Sequence, residues 1–335
     1  MALSFKAAPG QILDGRFHLL EQIGKGGMST VFKASDLENA GQTVAVKVPL
    51  PQYSSGLGSW SMFQREAEIG ARLHHPFILR FIAPALPGNR SYVVTEFLDA
   101  PTLASRIGKG RRLPEAEALS MLGRLCEAVD YLHRQGVVHY DLKPGNVLLC
   151  DDGSLRLIDL GMAHEVVVGR GRSMFSAPAP PFATSEYVAP EQIHRRRGQR
   201  SVDIYALGAI LYEMLTGHPP FEGDDPFVVA SAREVGDPRA LRELCPAISE
   251  QAEEIALRAL RRNPKERYAT AAEFKADVDD PARVRVSGLA RRLVAVTPGR
   301  KRLRWVRFIA LTGIAPIAIL VAMFRFLWWY LDRHH

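Results

Sequence analysis

The sequence predicts an α+β chain: a small five-stranded lobe with one helix, a larger helical lobe, and one C-terminal transmembrane helix. Three observations carry this expectation. Short strand-like runs crowd the first hundred residues, helix-period runs take over after Pro114, and Phe308 to Phe324 is a run of 17 residues without a charge. A length of 335 residues with 47% hydrophobic residues can furnish a substantial core.

Residues 1–16 read as a lead-in. Phe17 to Ile23 alternates weakly and is followed by Gly24-Lys25-Gly26-Gly27-Met28-Ser29-Thr30-Val31, then by a returning strand through Ala34. Glycines at such a turn let backbone N–H groups approach phosphates without Cβ obstruction, although a hairpin turn with no ligand has the same signature. Val44-Ala45-Val46-Lys47 reads as a strand that puts Lys47 on the face of Ala45, because side chains alternate. Residues 60–73 have Phe63, Ala67, Gly70 and Leu73 at helical spacing. On that helix Glu66 and Glu68 point about 200° apart, so only one of them can meet Lys47. Ile78 to Phe81 and Ser91 to Thr95 complete the five strands.

Pro114 opens a helix whose apolar face is Ala118, Leu122, Leu125, Val129 and Leu132, ending at Gly136. The loop His139-Tyr140-Asp141-Leu142-Lys143-Pro144-Gly145-Asn146 follows, before the apolar run Val147 to Leu149. Here Asp141 can take a proton or orient a hydroxyl, Lys143 can stabilise charge on a moving phosphoryl group, and Asn146 can coordinate a cation through its amide oxygen. Asp159-Leu160-Gly161 supplies a second acid downstream. Together they read as a metal-assisted phosphoryl-transfer site. Residues 162–188 are rich in glycine and proline and carry Ser173, Ser176, Thr184 and Ser185, a composition that in a compact domain marks a functional segment or disorder.

These motifs, in this order, resemble the eukaryotic-like (Hanks-type) serine/threonine protein kinases of the bacterial membrane-anchored type, over about residues 16–278. The resemblance implies a bilobal kinase domain at 17–278, with a small lobe 17–97 and a large lobe 98–278. It implies ATP with Mg²⁺, or Mn²⁺ in its place, bound between the lobes. Gly24, Lys25, Gly26, Gly27, Met28 and Ser29 would then cover the phosphates, with Ile23 and Val31 against adenine, Leu148 beneath it, and Thr95, Glu96 and Leu98 in the hinge. Ala45 joins this nucleotide-binding set. Lys47 would hold the α and β phosphates, itself held by Glu66, while Asn146 and Asp159 hold metal. Asp141 and Lys143 are the expected catalytic pair, and Thr184 beside them favours serine or threonine as acceptor.

The resemblance further implies that Asp203 braces the catalytic loop and that Arg267 pairs with Glu191, in the Ala189-Pro190-Glu191 close of the activation segment. Four departures stand out: Ser29 replaces a third glycine, Tyr140 an arginine, Leu160 a phenylalanine, and Ala183 a glycine. Because the arginine normally binds a phosphorylated residue, Tyr140 points to activity less dependent on loop phosphorylation. A pseudokinase or scaffold that binds nucleotide and partners without turnover is the alternative. Its hallmark would be loss of Lys47, Asp141, Asn146 or Asp159, and all four are present.

The formal charge of +7 does not indicate nucleic acid. Residues 281–335 hold eleven Lys or Arg against Asp332 alone, which leaves 32 basic and 35 acidic residues in 1–280. Three scattered cysteines, Cys126, Cys150 and Cys245, fit a reducing compartment, and the N-terminus shows no signal-peptide pattern. Residues 279–307 read as a basic juxtamembrane linker that holds anionic lipid, 308–331 as the membrane span with Trp328, Trp329 and Tyr330 at an interface, and 332–335 as a short tail. The positive-inside tendency puts the globular part in the cytoplasm, on a single-pass protein of the cell (inner) membrane. Protein substrates with Ser/Thr acceptors are the expected partners, and a homodimer is compatible with the sequence.

Overall fold

The computed structural model describes residues 7–51, 57–83, 92–161, 163–165, 186–193, 199–223 and 225–294. The chain begins with β1 (Ile12–Leu13), β2 (Phe17–Lys25), β3 (Ser29–Asp36) and β4 (Gln42–Pro49). Helix α1 (Leu57–Arg72) then precedes β5 (Phe81–Ala83) and β6 (Val93–Glu96). The six strands form one antiparallel sheet in the order β1-β2-β3-β4-β6-β5. In β4 the pleat is read directly from burial: Val44, Val46 and Val48 enter the small-lobe core, while Ala45 and Lys47 face the other way. Each buried valine contributes roughly 1.5–3 kcal/mol. Phe17, Leu19, Phe32, Tyr92 and Val94 complete that core.

The large lobe is helical. It holds α2 (Leu103–Arg106), α3 (Glu115–Arg134), β7 (Val137–Val138), β8 (Val147–Leu149), β9 (Leu155–Leu157) and β10 (His164–Glu165). Then follow α4 (Pro190–Ile193), α5 (Ser201–Thr216), α6 (Pro226–Val235), α7 (Leu241–Leu244), α8 (Glu250–Ala259) and α9 (Ala271–Asp279). Helix α5 is the axis of this lobe, since every residue from Val202 to Thr216 is buried and it packs on α3, α7 and α8. A helix apolar around its whole circumference belongs in a core. Helices α8 and α9 each start at a hydroxyl that accepts a backbone N–H: Ser249 Oγ from Ala252 (3.1 Å) and Thr270 Oγ1 from Glu273 (3.0 Å).

Three features differ from the sequence expectation. Among the described residues the small-lobe sheet has six strands, because β1, placed in the lead-in, pairs with β2 and buries Leu13. Two residues are too few to show alternation. The strand expected at Ile78 to Phe81 lies later, at β5, and Ile78 makes an isolated bridge to Leu157. The linker expected over 279–307 starts as folded structure. Residues 281–283 form a 3-10 turn, Val284, Leu289, Ala290 and Leu293 pack on the large-lobe core, and the chain stays docked to Val294. Its basic residues hid this from a charge count, because its apolar side chains and backbone amides make the contact. Among the described residues no helix is long and apolar enough to cross a membrane; the run 308–331 lies outside them.

Candidate active site

Strand β4 and helix α1 meet at Lys47 and Glu66. Gly70, one turn beyond Glu66, lets α1 lie against β5, for a Cβ there would sit 2.3 Å from the Phe81 ring. Glu66 is buried and Glu68 exposed, which settles the choice between the two acids. Lys47 Nζ donates to both Glu66 oxygens (2.9 Å each) and to Asp159 Oδ1 (2.6 Å). Burial acts against the Lys47 charge, yet the two carboxylates raise its pKa. Burial holds the Glu66 pKa above the usual carboxylate range despite Lys47. Burial also opposes ionisation of Asp159, but the Lys47 charge and hydrogen bond and the Gly161 amide bring it down to about 2.

Asp159 adopts φ +64°, a left-handed conformation uncommon outside glycine and often found at functional sites. Gly161 N donates to Asp159 Oδ1 (3.1 Å). A Cβ on Gly161 would lie 3.0 Å from Asp159 Oδ1, 3.2 Å from Glu66 Oε2 and 3.3 Å from Lys47 Nζ, so the three-charge cluster needs glycine at that place. Leu160 is buried in the core between these two residues.

The loop between β7 and β8 carries the second group. Asp141 Oδ2 accepts from Lys143 Nζ (2.7 Å) and Asn146 Nδ2 (3.2 Å), and Asn146 Nδ2 also donates to the Asp141 carbonyl (2.8 Å). Asn146 closes a 3-10 turn, Pro144–Asn146, that leads into β8. The loop backbone hangs on Asp203 of α5, whose Oδ2 accepts from His139 N (2.9 Å) and Oδ1 from Tyr140 N (2.9 Å). Burial opposes the Asp203 charge, but the His133 contact at 2.8 Å and the His139 amide lower its pKa. His139 is fully buried and its Nδ1 accepts from Asp141 N (3.3 Å), a framework position rather than a solvent-facing base.

Beside the loop between β7 and β8 lies the stretch 186–193. Glu191 is bound bidentately by Arg267 (2.6 and 2.8 Å), both buried. Tyr187 Oη donates to Glu213, Arg233 donates to the Val188 carbonyl (3.1 Å), and Gln192 bonds the Ala189 amide (2.8 Å) and the Tyr140 carbonyl (3.3 Å).

The remaining expected residues fall as follows. Gly24 pairs with Val31 and Lys25 with Thr30 across β2 and β3. The turn between them is closed by Gly26 N to Ser29 O (2.7 Å), and Met28 O accepts from Leu50 N (2.8 Å). Gly27 lies open there and Ile23 is exposed. Ala45 is paired with Thr95. Glu96 N donates to Arg80 O and its Oε1 accepts from Arg80 N, both at 2.9 Å, and half-buried Leu98 follows. Leu148 lies in β8, bridged to Thr102. Thr184 lies outside the described residues. The sequence reading missed His133, Gln192 and the Tyr187–Glu213 pair. His133 alone had a signal, a polar residue on the buried face of α3.

A family model described as a protein kinase domain matches residues 17–277. The chain is similar to the serine/threonine-protein kinase PknB of Mycobacterium leprae, 33% identical over 270 residues, covering 79% of this chain and 43% of that protein. It is similar to a probable serine/threonine-protein kinase of Streptomyces coelicolor, 34% identical over 271 residues, covering 80% and 40%. A probable serine/threonine-protein kinase of Corynebacterium efficiens is 31% identical over 288 residues, covering 84% and 43%. The chain thus spans about two fifths of the length of these curated relatives.

Proposed function

The chain belongs to the protein kinase family, and from that premise we propose that it transfers the γ-phosphoryl group of ATP to serine or threonine hydroxyls of proteins, its own among them. The observation that carries this reading is the Lys47 ammonium held at once by Glu66 and Asp159, from both lobes. Such a clasp fixes a cation where nucleotide phosphates would enter the cleft.

Asp141 orients the acceptor hydroxyl and takes its proton as the new oxygen–phosphorus bond forms and the bond to the ADP leaving oxygen breaks. Its Oδ2 is occupied by Lys143 and Asn146, which leaves Oδ1 for that hydroxyl. Lys143 offsets charge on the transferring group, and Lys47 aligns the α and β phosphates. Asn146, its amide nitrogen committed to Asp141, and Asp159, ionised and with 41% of its side chain exposed, offer the hard oxygen donors that suit Mg²⁺ or Mn²⁺. Held by these two side chains, such an ion would supply neutralisation of phosphate charge. Thr184 favours serine and threonine acceptors over tyrosine.

Membrane tethering belongs to the same proposal. The uncharged run Phe308 to Phe324 reaches about 25 Å as a helix, and extended to Leu331 about 36 Å, enough to span a bilayer. Beyond the docked stretch that ends at Val294, residues 295–307 hold five Lys or Arg and no acid, which supports a kinase domain on the cytoplasmic side of the cell membrane and against anionic lipid. Neutralising Arg300, Lys301, Arg302, Arg304 and Arg307 then weakens binding to anionic liposomes.

The catalytic reading is tested with γ-labelled ATP and Mg²⁺, comparing the chain with Asp141→Asn and mapping the phosphosites. Label on serine or threonine, lost by about 10²–10⁴-fold in the variant, is the expected result. Equal labelling by both proteins refutes it.

A further inference from the structure

The side chain of Gln192, on α4, touches both halves of the proposed transfer site. Its Oε1 accepts from the Ala189 amide (2.8 Å) and its Nε2 donates to the Tyr140 carbonyl (3.3 Å). Tyr140 directly precedes Asp141, and Ala189 belongs to the stretch that leads from Thr184 to α4. The other ties on that stretch reach elsewhere in the large lobe: Tyr187 to Glu213, the Val188 carbonyl to Arg233, and Glu191 to Arg267 and Ser201. Gln192 sends a hydrogen bond from this stretch to the loop that carries Asp141.

This tie is neutral and uses backbone groups on both sides, so it is made whatever the phosphorylation state of the chain. Tyr140 offers no cation for a phosphate, and its own amide is already held by Asp203. With Asp203 fixing the Tyr140 N–H and Gln192 the Tyr140 C=O, the peptide groups flanking that residue are both anchored, and the orientation of Asp141 follows from them. Tyr140 is itself in a left-handed conformation, φ +67°, which a loop keeps only when its surroundings over-determine it.

Resting on the kinase reading above, we propose that Gln192 is a positioning residue that sets the acceptor-side stretch against the catalytic loop and thereby makes the unphosphorylated chain competent for transfer. It touches neither nucleotide nor hydroxyl. Its loss therefore acts on the protein acceptor and leaves the nucleotide side unchanged.

The test uses the full chain, labelled ATP with Mg²⁺, and myelin basic protein as a generic acceptor. Gln192→Ala lowers kcat/KM for the acceptor about tenfold, the effect of two ordinary hydrogen bonds, with KM for ATP unchanged. Gln192→Glu can still accept from Ala189 but cannot donate to Tyr140, and it falls by a similar factor while keeping the thermal midpoint. That second variant guards against a fold defect in the first. Phosphatase treatment of the wild type leaves its initial rate in place. Wild-type kcat/KM in Gln192→Glu, an equal rise in both KM values, or abolition of wild-type activity by phosphatase overturns the proposal. A wild type that transfers no phosphate to any acceptor overturns the kinase reading itself.

Discussion

Lys47 and Asp159, 112 residues apart in the chain, are in direct contact: the ammonium lies 2.6 Å from one carboxylate oxygen and is also bound by Glu66. One cation therefore joins the sheet, α1 and the segment after β9. Replacing Lys47 by Met leaves two carboxylates facing each other, and Glu66, already raised by burial, takes up a proton. Lys47→Met is expected to lose phosphoryl transfer by at least about 100-fold, as for other preorganised charge contacts. Steady-state kinetics on labelled ATP check this. Rates within a few fold of wild type would remove Lys47 from the reaction.

The Glu191–Arg267 pair is structural and buried on both sides. Arg267 also donates to the carbonyls of Arg261 (2.7 Å), Ser201 (2.8 Å) and Arg262 (3.2 Å), so its position is fixed without the acid. Glu191→Ala then strands a guanidinium in the core and costs about 3–5 kcal/mol. Urea unfolding of Glu191→Ala, Arg267→Met and the double variant gives the coupling. The double variant should be less damaged than the sum of the singles, because it no longer buries an unpaired charge.

Acid sensitivity has a defined window. Arg16 bonds Asp36 through two nitrogens at 2.7 Å, and that hydrogen bonding, with Asn39 and the Glu38 amide, holds the Asp36 pKa at about 2. Asp159 is also lowered to about 2. A carboxyl whose folded value lies below its unfolded one stabilises the fold above the unfolded value of ~3.9, and the contribution is lost as pH falls from there toward 2. Thermal midpoints measured between pH 5 and 2 should fall for the wild type and fall less steeply for Asp36→Asn. Parallel curves would assign the acid response to other groups.

That Lys47 meets Asp159, and that Asp141, Lys143 and Asn146 share one loop, was legible because each sits in a short motif whose residue types are demanded by chemistry. The fixed turn per residue of a helix showed that only one of Glu66 and Glu68 could meet Lys47, and the family resemblance pointed to Glu66. The missed contacts lack such local signatures. Gln192 bonds two backbone groups, one of them 52 positions away. Strand β1 is two residues long. Buried His133 is visible as polar on an apolar face, but nothing in its neighbourhood names Asp203, 70 residues on, as its partner. Backbone partners leave no sequence pattern, so long-range ties to them appear only in the fold.

The docked stretch after α9 gives the last prediction. Glu254 on α8 is buried and accepts from Ser287 N (3.0 Å), Ser287 Oγ and Leu289 N (3.1 Å). At the far end, Asp237 N donates to Val294 O and Val294 N to Asp237 Oδ2, both at 2.9 Å. The chain is thus pinned at two points beyond residue 277, where the family match stops. Glu254→Ala removes the acceptor for three donors, and hydrogen bonds to a charged group contribute about 1.5–3 kcal/mol, so the docking should loosen by that order. Hydrogen exchange at the Ser287 and Leu289 amides should then accelerate while exchange in α5 stays slow, because α5 is held by the apolar core and not by this stretch. Acceleration in both would mean that the stretch is part of the large lobe's cooperative unit, and the folded domain would extend to Val294 in stability as well as in contact.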